Sequence, residues 1–212
     1  LWNSTYKQMV SEKTIYNKYL SDKFKYYLFI EYMGRDFDND YNIFEETILD
    51  CIERKLIDDA VIGKDEKEQV NIWGIREDVA VLAEERKFDQ QFDISIPVPL
   101  IGDVIAKISN ELKECEGVKT IFPFGHVADG NIHFIIGKDS ESEELKSQIN
   151  DIISNTKKGS DRPLILFSDI DMDCFCNRID TNSNKIKRRE FNDDLPIITV
   201  NYYVNIITVS YS

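Results

Sequence analysis

An α+β fold, with a largely antiparallel sheet packed under helices on one face, is what the sequence predicts, followed by a short, truncated α/β segment at the C-terminal end. Three observations predict it. Strand-like and helix-like segments alternate between about 24 and 153. A turn dipeptide joins two apolar strands into a hairpin, so at least part of the sheet runs antiparallel. The helical segments each carry their apolar residues on one stripe.

Residues 1–23 read as a helical extension. KYYLFIEYMG (25–34) is an aromatic, β-rich run that ends in glycine. NIFEETILDCIERKLI (42–57) sets Ile43, Phe44, Ile48, Cys51 and Ile52 on one helical face. VNIWGIREDVAVLAEERK (70–87) reads as helix despite Gly74, and QFDISIPV (91–98) as a strand closed by prolines. The helix expected over 99–117 has a stripe from Leu100, Ile101, Val104, Ile105, Ile108 and Leu112, with Gly117 as its C-terminal cap. TIFPFGHVADGNIHFIIG (120–137) is strand, turn, strand, and SESEELKSQINDIISN (140–155) is an amphipathic helix with a Ser/Glu capping pattern. The polar run NTKKGSDR suggests a linker over 156–162, so 24–155 forms the main domain and 163–212 a separate segment. There PLILFSDIDMDCF (163–175) gives a strand ending in acids, and 196–212 a β-hairpin.

Composition narrows the function. The 212 residues carry 39 acidic against 26 basic side chains, a formal net charge of −13, which disfavours nucleic acid and anionic membranes as partners of the whole chain. No apolar run approaches the roughly 20 residues of a membrane span. Cys51, Cys115, Cys174 and Cys176 lack CxxC spacing and read as free thiols in a reducing compartment. The chain starts at Leu1 and stops inside a strand-like run, which reads as a fragment.

HVADGNIH (126–133) holds the only two histidines of the sequence. Asp129-Gly130 is the favoured dipeptide of a two-residue hairpin turn, which would set Ala128 opposite Asn131 and His126 opposite His133 on one face. Paired Cβ atoms about 5 Å apart would let both imidazoles hold one ion such as zinc. A catalytic zinc takes three protein ligands, so a third must come from elsewhere. Taken alone, the pair reads equally as two local hydrogen-bonding histidines, and Arg76 as a helix-surface ion-pair partner with Glu84 in reach.

The segment from YYLFIEYMG through IWGIRE, FDISIPV and HVADGNIH to the helix near 150 resembles the C-terminal domain of FAD-linked oxidases, the branch containing D-2-hydroxyglutarate and D-lactate dehydrogenases. That resemblance implies a ferredoxin-like domain that caps a separate FAD domain, here without a counterpart, and a mitochondrial location. It implies His126 and His133 as ligands of zinc or manganese, Arg76 as the anchor of the carboxylate of a small 2-hydroxy acid, and Asn131 as a substrate or flavin contact. A metal on the 2-hydroxyl would lower its pKa while a hydride leaves for FAD. Departures from the family pattern are Ala80, Gln91 and Ile135 at three polar contact positions, and the lack of a Glu-His-Gly segment after 153 to supply the third ligand. The expectation is therefore a partial D-2-hydroxyacid dehydrogenase without turnover of its own, or else a non-catalytic binding module.

DIDMDCF, with DLPIITV and IITVSYS behind it, is similar to the start of the palm of Y-family translesion DNA polymerases. This resemblance implies Asp171 as a magnesium ligand, Met172 as a backbone carbonyl ligand and Tyr211 as a triphosphate contact. A fused polymerase fragment is accordingly a further alternative.

Overall fold

The computed structural model describes residues 1–32, 37–82 and 88–155, together with the strands at 166–168 and 205–211. In chain order the elements are α1 (Asn3–Met9), β1 (Tyr26–Tyr32), α2 (Phe37–Glu53), β2 (Asp59–Ile62), α3 (Glu66–Glu77), β3 (Asp89–Ser95), α4 (Ile101–Lys113), β4 (Val118–His126), β5 (Asn131–Lys138), α5 (Glu143–Asn155), β6 (Leu166–Ser168) and β7 (Asn205–Tyr211). A 3-10 turn, Val79–Leu82, follows α3. The α+β class holds, and every described strand pairing is antiparallel.

The described strands form two sheets. One has the order β4-β5-β3-β6 and the other β1-β7-β2. In the first, alternation decides which side chains face which layer. Phe92 and Ile94 of β3 and Ile132, Phe134 and Ile136 of β5 pack on Ile105, Ile108 and Leu112 of α4 and on Leu145, Ile149 and Ile153 of α5. Each such apolar side chain contributes roughly 1.5–3 kcal/mol on burial, which makes this layer the main stabilising core.

The opposite face is also covered, against the expectation of helices on one side only. Phe122 and Ile135 pack there against Tyr6 and Met9 of α1, Leu20, Tyr27, Ile75 of α3 and Leu82. The reason lies in the unbroken apolar run Phe134-Ile135-Ile136, which leaves no solvent-facing side to β5. Of residues 1–23 only α1 is helical, and it belongs to this second layer, with Tyr6 and Met9 buried. Its side chains also close the edge of β4: Ser4 Oγ donates to Ile121 O at 2.8 Å and Thr5 Oγ1 to Pro123 O at 2.7 Å. Pro123, which has no N–H to offer, fits an edge strand.

Helix ends follow local chemistry. Asp65 caps α3 by accepting the Glu68 N–H at 2.9 Å, and Ser142 Oγ accepts the Leu145 N–H at 3.3 Å at the start of α5. The C-terminal end of α2 closes as a Schellman motif: Lys55 takes a left-handed φ of 56°, its N–H reaches Ile52 O and the Leu56 N–H reaches Cys51 O.

Several sequence expectations shift. The helix expected from 42 starts at Phe37, and its Ile43 is exposed while Phe44 and Ile48 are buried. The one expected over 70–87 begins at Glu66 and gives way to the 3-10 turn after Glu77. Leu100 precedes α4 and is exposed, and Gly117 (φ 97°) turns the chain beyond the helix end instead of capping it. In the tail, β6 pairs with β3 and β7 runs between β1 and β2. Tyr211 pairs in register with Tyr26, while Asp171, Met172, Cys174 and Cys176 lie outside the described residues.

Candidate functional site

The hairpin register differs from the expected one. Four residues, Val127–Gly130, make the turn, so His126 pairs with Asn131 and His133 pairs with Phe124. Asp129 does not adopt positive φ; only Gly130 does, at 75°. The Gly130 N–H donates to Val127 O at 3.3 Å, and Asp129 Oδ1 accepts the Asn131 N–H at 2.9 Å. Those bonds define a four-residue turn with glycine in the left-handed last place, a stable alternative to the two-residue loop. Position 130 admits no side chain, because a Cβ would stand 2.0 Å from Ile96 O.

Although the two histidines are not directly paired, they remain on one face as diagonal neighbours. Their ring centroids are 5.8 Å apart, at an interplanar angle of 83°. Next to them in β3, in register with His133, lies Asp93, whose Oδ2 is 3.4 Å from His133 Nδ1. Burial holds the His133 imidazole below its ordinary pKa. Asp93 pulls it back up, while His126 and Arg76 push it further down.

Arg76 reaches the same place from α3. Its Nη2 lies 3.1 Å from Nδ1 and 3.0 Å from Nε2 of His126, which sets the cation against the imidazole ring. Nη1 ion-pairs with Glu77, and the guanidinium carbon sits 5.5 Å from the Trp73 ring centroid, one helical turn earlier. Arg76, His126 and His133 thus line one cavity of about 270 Å³. Asp93, Glu77 and Gln91 add polar groups, and Val79, Phe124 and Ile135 supply apolar wall. Asn131, the first residue of β5 and two before His133, lies outside this lining.

A metal does not fit the residues described. No group of three His, Cys, Asp or Glu side chains able to hold an ion forms among them. Moreover, the positive charge of Arg76 stands against the His126 ring, and Asp93 is taken up by His133. Nor does FAD fit: the cavity falls below the roughly 300–1,000 Å³ of pockets for drug-sized ligands. What the arrangement can do is hold a small carboxylate beside Arg76, through the charge-assisted N–H donors that Glu77 and His126 leave to it.

Sequence reasoning missed Glu77, Trp73 and Asp93. The second and third left signals: Trp73 stands at i−3 from Arg76, and Asp93 is an acid on the alternate face of an apolar strand. Residue 84, the expected partner of Arg76, lies outside the described residues.

Fold and cavity together describe an α+β domain with a small cavity that presents a guanidinium and two imidazoles. The family model for FAD linked oxidases, C-terminal domain, matches residues 4–160, and the chain belongs to that family. Among curated relatives, a probable D-2-hydroxyglutarate dehydrogenase of Oryza sativa subsp. japonica is 27% identical over 139 residues, which cover 66% of this chain and 24% of the relative. D-2-hydroxyglutarate dehydrogenase of Arabidopsis thaliana is 27% identical over 126 residues, covering 59% and 22%. A putative D-lactate dehydrogenase of Schizosaccharomyces pombe is 26% identical over 145 residues, covering 64% and 28%. All three are named as mitochondrial, and the chain spans about a quarter of their length. The family match ends at 160. Among the described residues no helix is long and apolar enough to cross a membrane.

Proposed function

We propose that this chain is the substrate-binding C-terminal domain of an FAD-dependent D-2-hydroxyacid dehydrogenase of the D-2-hydroxyglutarate or D-lactate type, and that it works in the mitochondrion. The observation that carries this reading is the Arg76 guanidinium on the wall of a 270 Å³ cavity beside His126 and His133. Arg76 anchors the substrate carboxylate, and the imidazoles stand within reach of the 2-hydroxyl. FAD belongs to a unit outside the described residues, so these 212 residues bind acid without turning it over.

Chemical-shift mapping of the isotope-labelled chain with D-lactate and D-2-hydroxyglutarate tests this. Shifts should concentrate at Arg76, His126 and His133 and disappear in Arg76→Ala, whose loss of a charge-assisted pair should weaken binding about tenfold or more. Shifts elsewhere, or undiminished in the variant, would leave only a non-catalytic module with the family fold.

A further inference from the structure

We infer that the cavity selects 2-hydroxy monocarboxylates with a short apolar side chain over dicarboxylates. This rests on the reading of Arg76 as the carboxylate anchor and names the substrate class it serves.

The first ground is the supply of cations. Among the described residues, Arg76 is the only Lys or Arg on the lining, and a bound carboxylate already has to share its N–H groups with Glu77 and His126. A second carboxylate on the same ligand would find Glu77 and Asp93, two groups of its own sign, with no further Lys or Arg of the described wall to pair it. Such an end is desolvated without a partner, the case in which discrimination is steepest.

The second ground is what the rest of the wall is made of. Val79, Phe124 and Ile135 form an apolar surface that can accept carbon and offers nothing to an anion. Each methylene that leaves water against such a wall strengthens binding about fourfold. Gln91 deepens the contrast. It lies on β3 two residues from Asp93 and so on the same face, paired in register with Ile135, and its amide is neutral where a cation would be needed to receive a second carboxylate.

Calorimetric titration of the 212-residue chain at pH 7.5 with D-lactate, D-2-hydroxyisocaproate and D-2-hydroxyglutarate tests the inference. The isocaproate should bind tightest, at least about tenfold more tightly than the glutarate. Gln91→Lys should strengthen glutarate binding about tenfold and move isocaproate less than about threefold. Wild-type chain that binds glutarate as tightly as isocaproate, or more tightly, overturns the selectivity, and that ratio decides the matter even if the variant does not fold. If the folded wild type, verified by far-UV circular dichroism, binds none of the three acids, the carboxylate-anchor reading itself is overturned and the selectivity falls with it.

Discussion

The guanidinium of Arg76 meets His126 with Nη2 at 3.0 Å from one ring nitrogen and 3.1 Å from the other. A cation therefore occupies the approach that a metal would need to reach that imidazole. Two consequences separate an anion site from a metal site. Wild-type chain should bind zinc only weakly, because a positive charge stands against His126 and the described residues form no set of three ligands. Arg76→Ala should remove that charge and raise zinc affinity about tenfold or more. Competition with a zinc-sensitive dye measures both, and stoichiometric micromolar binding by the wild type would mean that a ligand set assembles which Arg76 does not block.

Glycine 130 holds the hairpin that presents both histidines. It combines a left-handed φ of 75° with a backbone approach at which a Cβ would stand 2.0 Å from Ile96 O, while its own carbonyl accepts the Ile96 N–H at 2.8 Å. Gly130→Ala should cost roughly 2–4 kcal/mol in urea denaturation, from the left-handed penalty and the steric push together. Gly102 in α4 is the control, because its nearest neighbour to an added Cβ is Tyr26 Oη at 4.0 Å. Gly102→Ala should be neutral or stabilise by up to about 1 kcal/mol. Equal effects at the two positions would show that the turn is not held as described.

Much of this architecture was legible in the sequence because it rests on local rules. The stripe Ile101, Ile105, Ile108, Leu112 spells out the buried face of α4, and Ser142 three residues before Leu145 marks the start of α5. That Arg76, His126 and His133 belong together came from the resemblance, since nothing local joins α3 to a hairpin fifty residues away. The register at His126 escaped because Asp-Gly suits two loop lengths, and the bond from Asn131 N–H to Asp129 Oδ1 that chooses between them depends on a side-chain rotamer. Asp93 was missed for the opposite reason. An acid in a strand reads as a solvent-facing residue until the partner strand places His133 beside it.

His133 should make stability depend on pH. Burial is the largest influence on its imidazole and lowers the pKa in the fold, more than the neighbouring Asp93 restores. With the folded value below the unfolded one, near 6.5, the unfolded chain binds more protons in between, so stability rises with pH through that window and is lost as pH falls from about 6.5 toward the folded value. Urea midpoints taken from pH 8 to pH 5 should drop for the wild type, and His133→Gln should remove part of that drop. A variant whose slope matches that of the wild type throughout would assign the dependence to other groups.

Gly74 ties the N-terminal segment to the position of Arg76. It sits inside α3 where helix propensity disfavours it, and a Cβ there would lie 2.3 Å from Cε1 of Tyr16. Tyr16 cannot easily retreat, because its hydroxyl donates to Asp78 Oδ2 at 2.7 Å, just past the C-terminal end of the same helix. Burial and that carboxylate together raise the phenol pKa. Gly74→Ala should therefore cost about 1–3 kcal/mol despite the better helix former, through overpacking. Tyr16→Phe should cost about 1 kcal/mol for the lost hydrogen bond. Combining Gly74→Ala with Tyr16→Ala should cost less than the sum of the single changes, because removing the ring opens the space that the methyl needs. Since Arg76 lies two residues beyond Gly74, the single Gly74→Ala change should also weaken acid binding by tilting the guanidinium away from His126, and the double variant should recover part of that loss. Additive stabilities in the cycle, measured by urea denaturation, would show that the ring and the glycine do not share the contact.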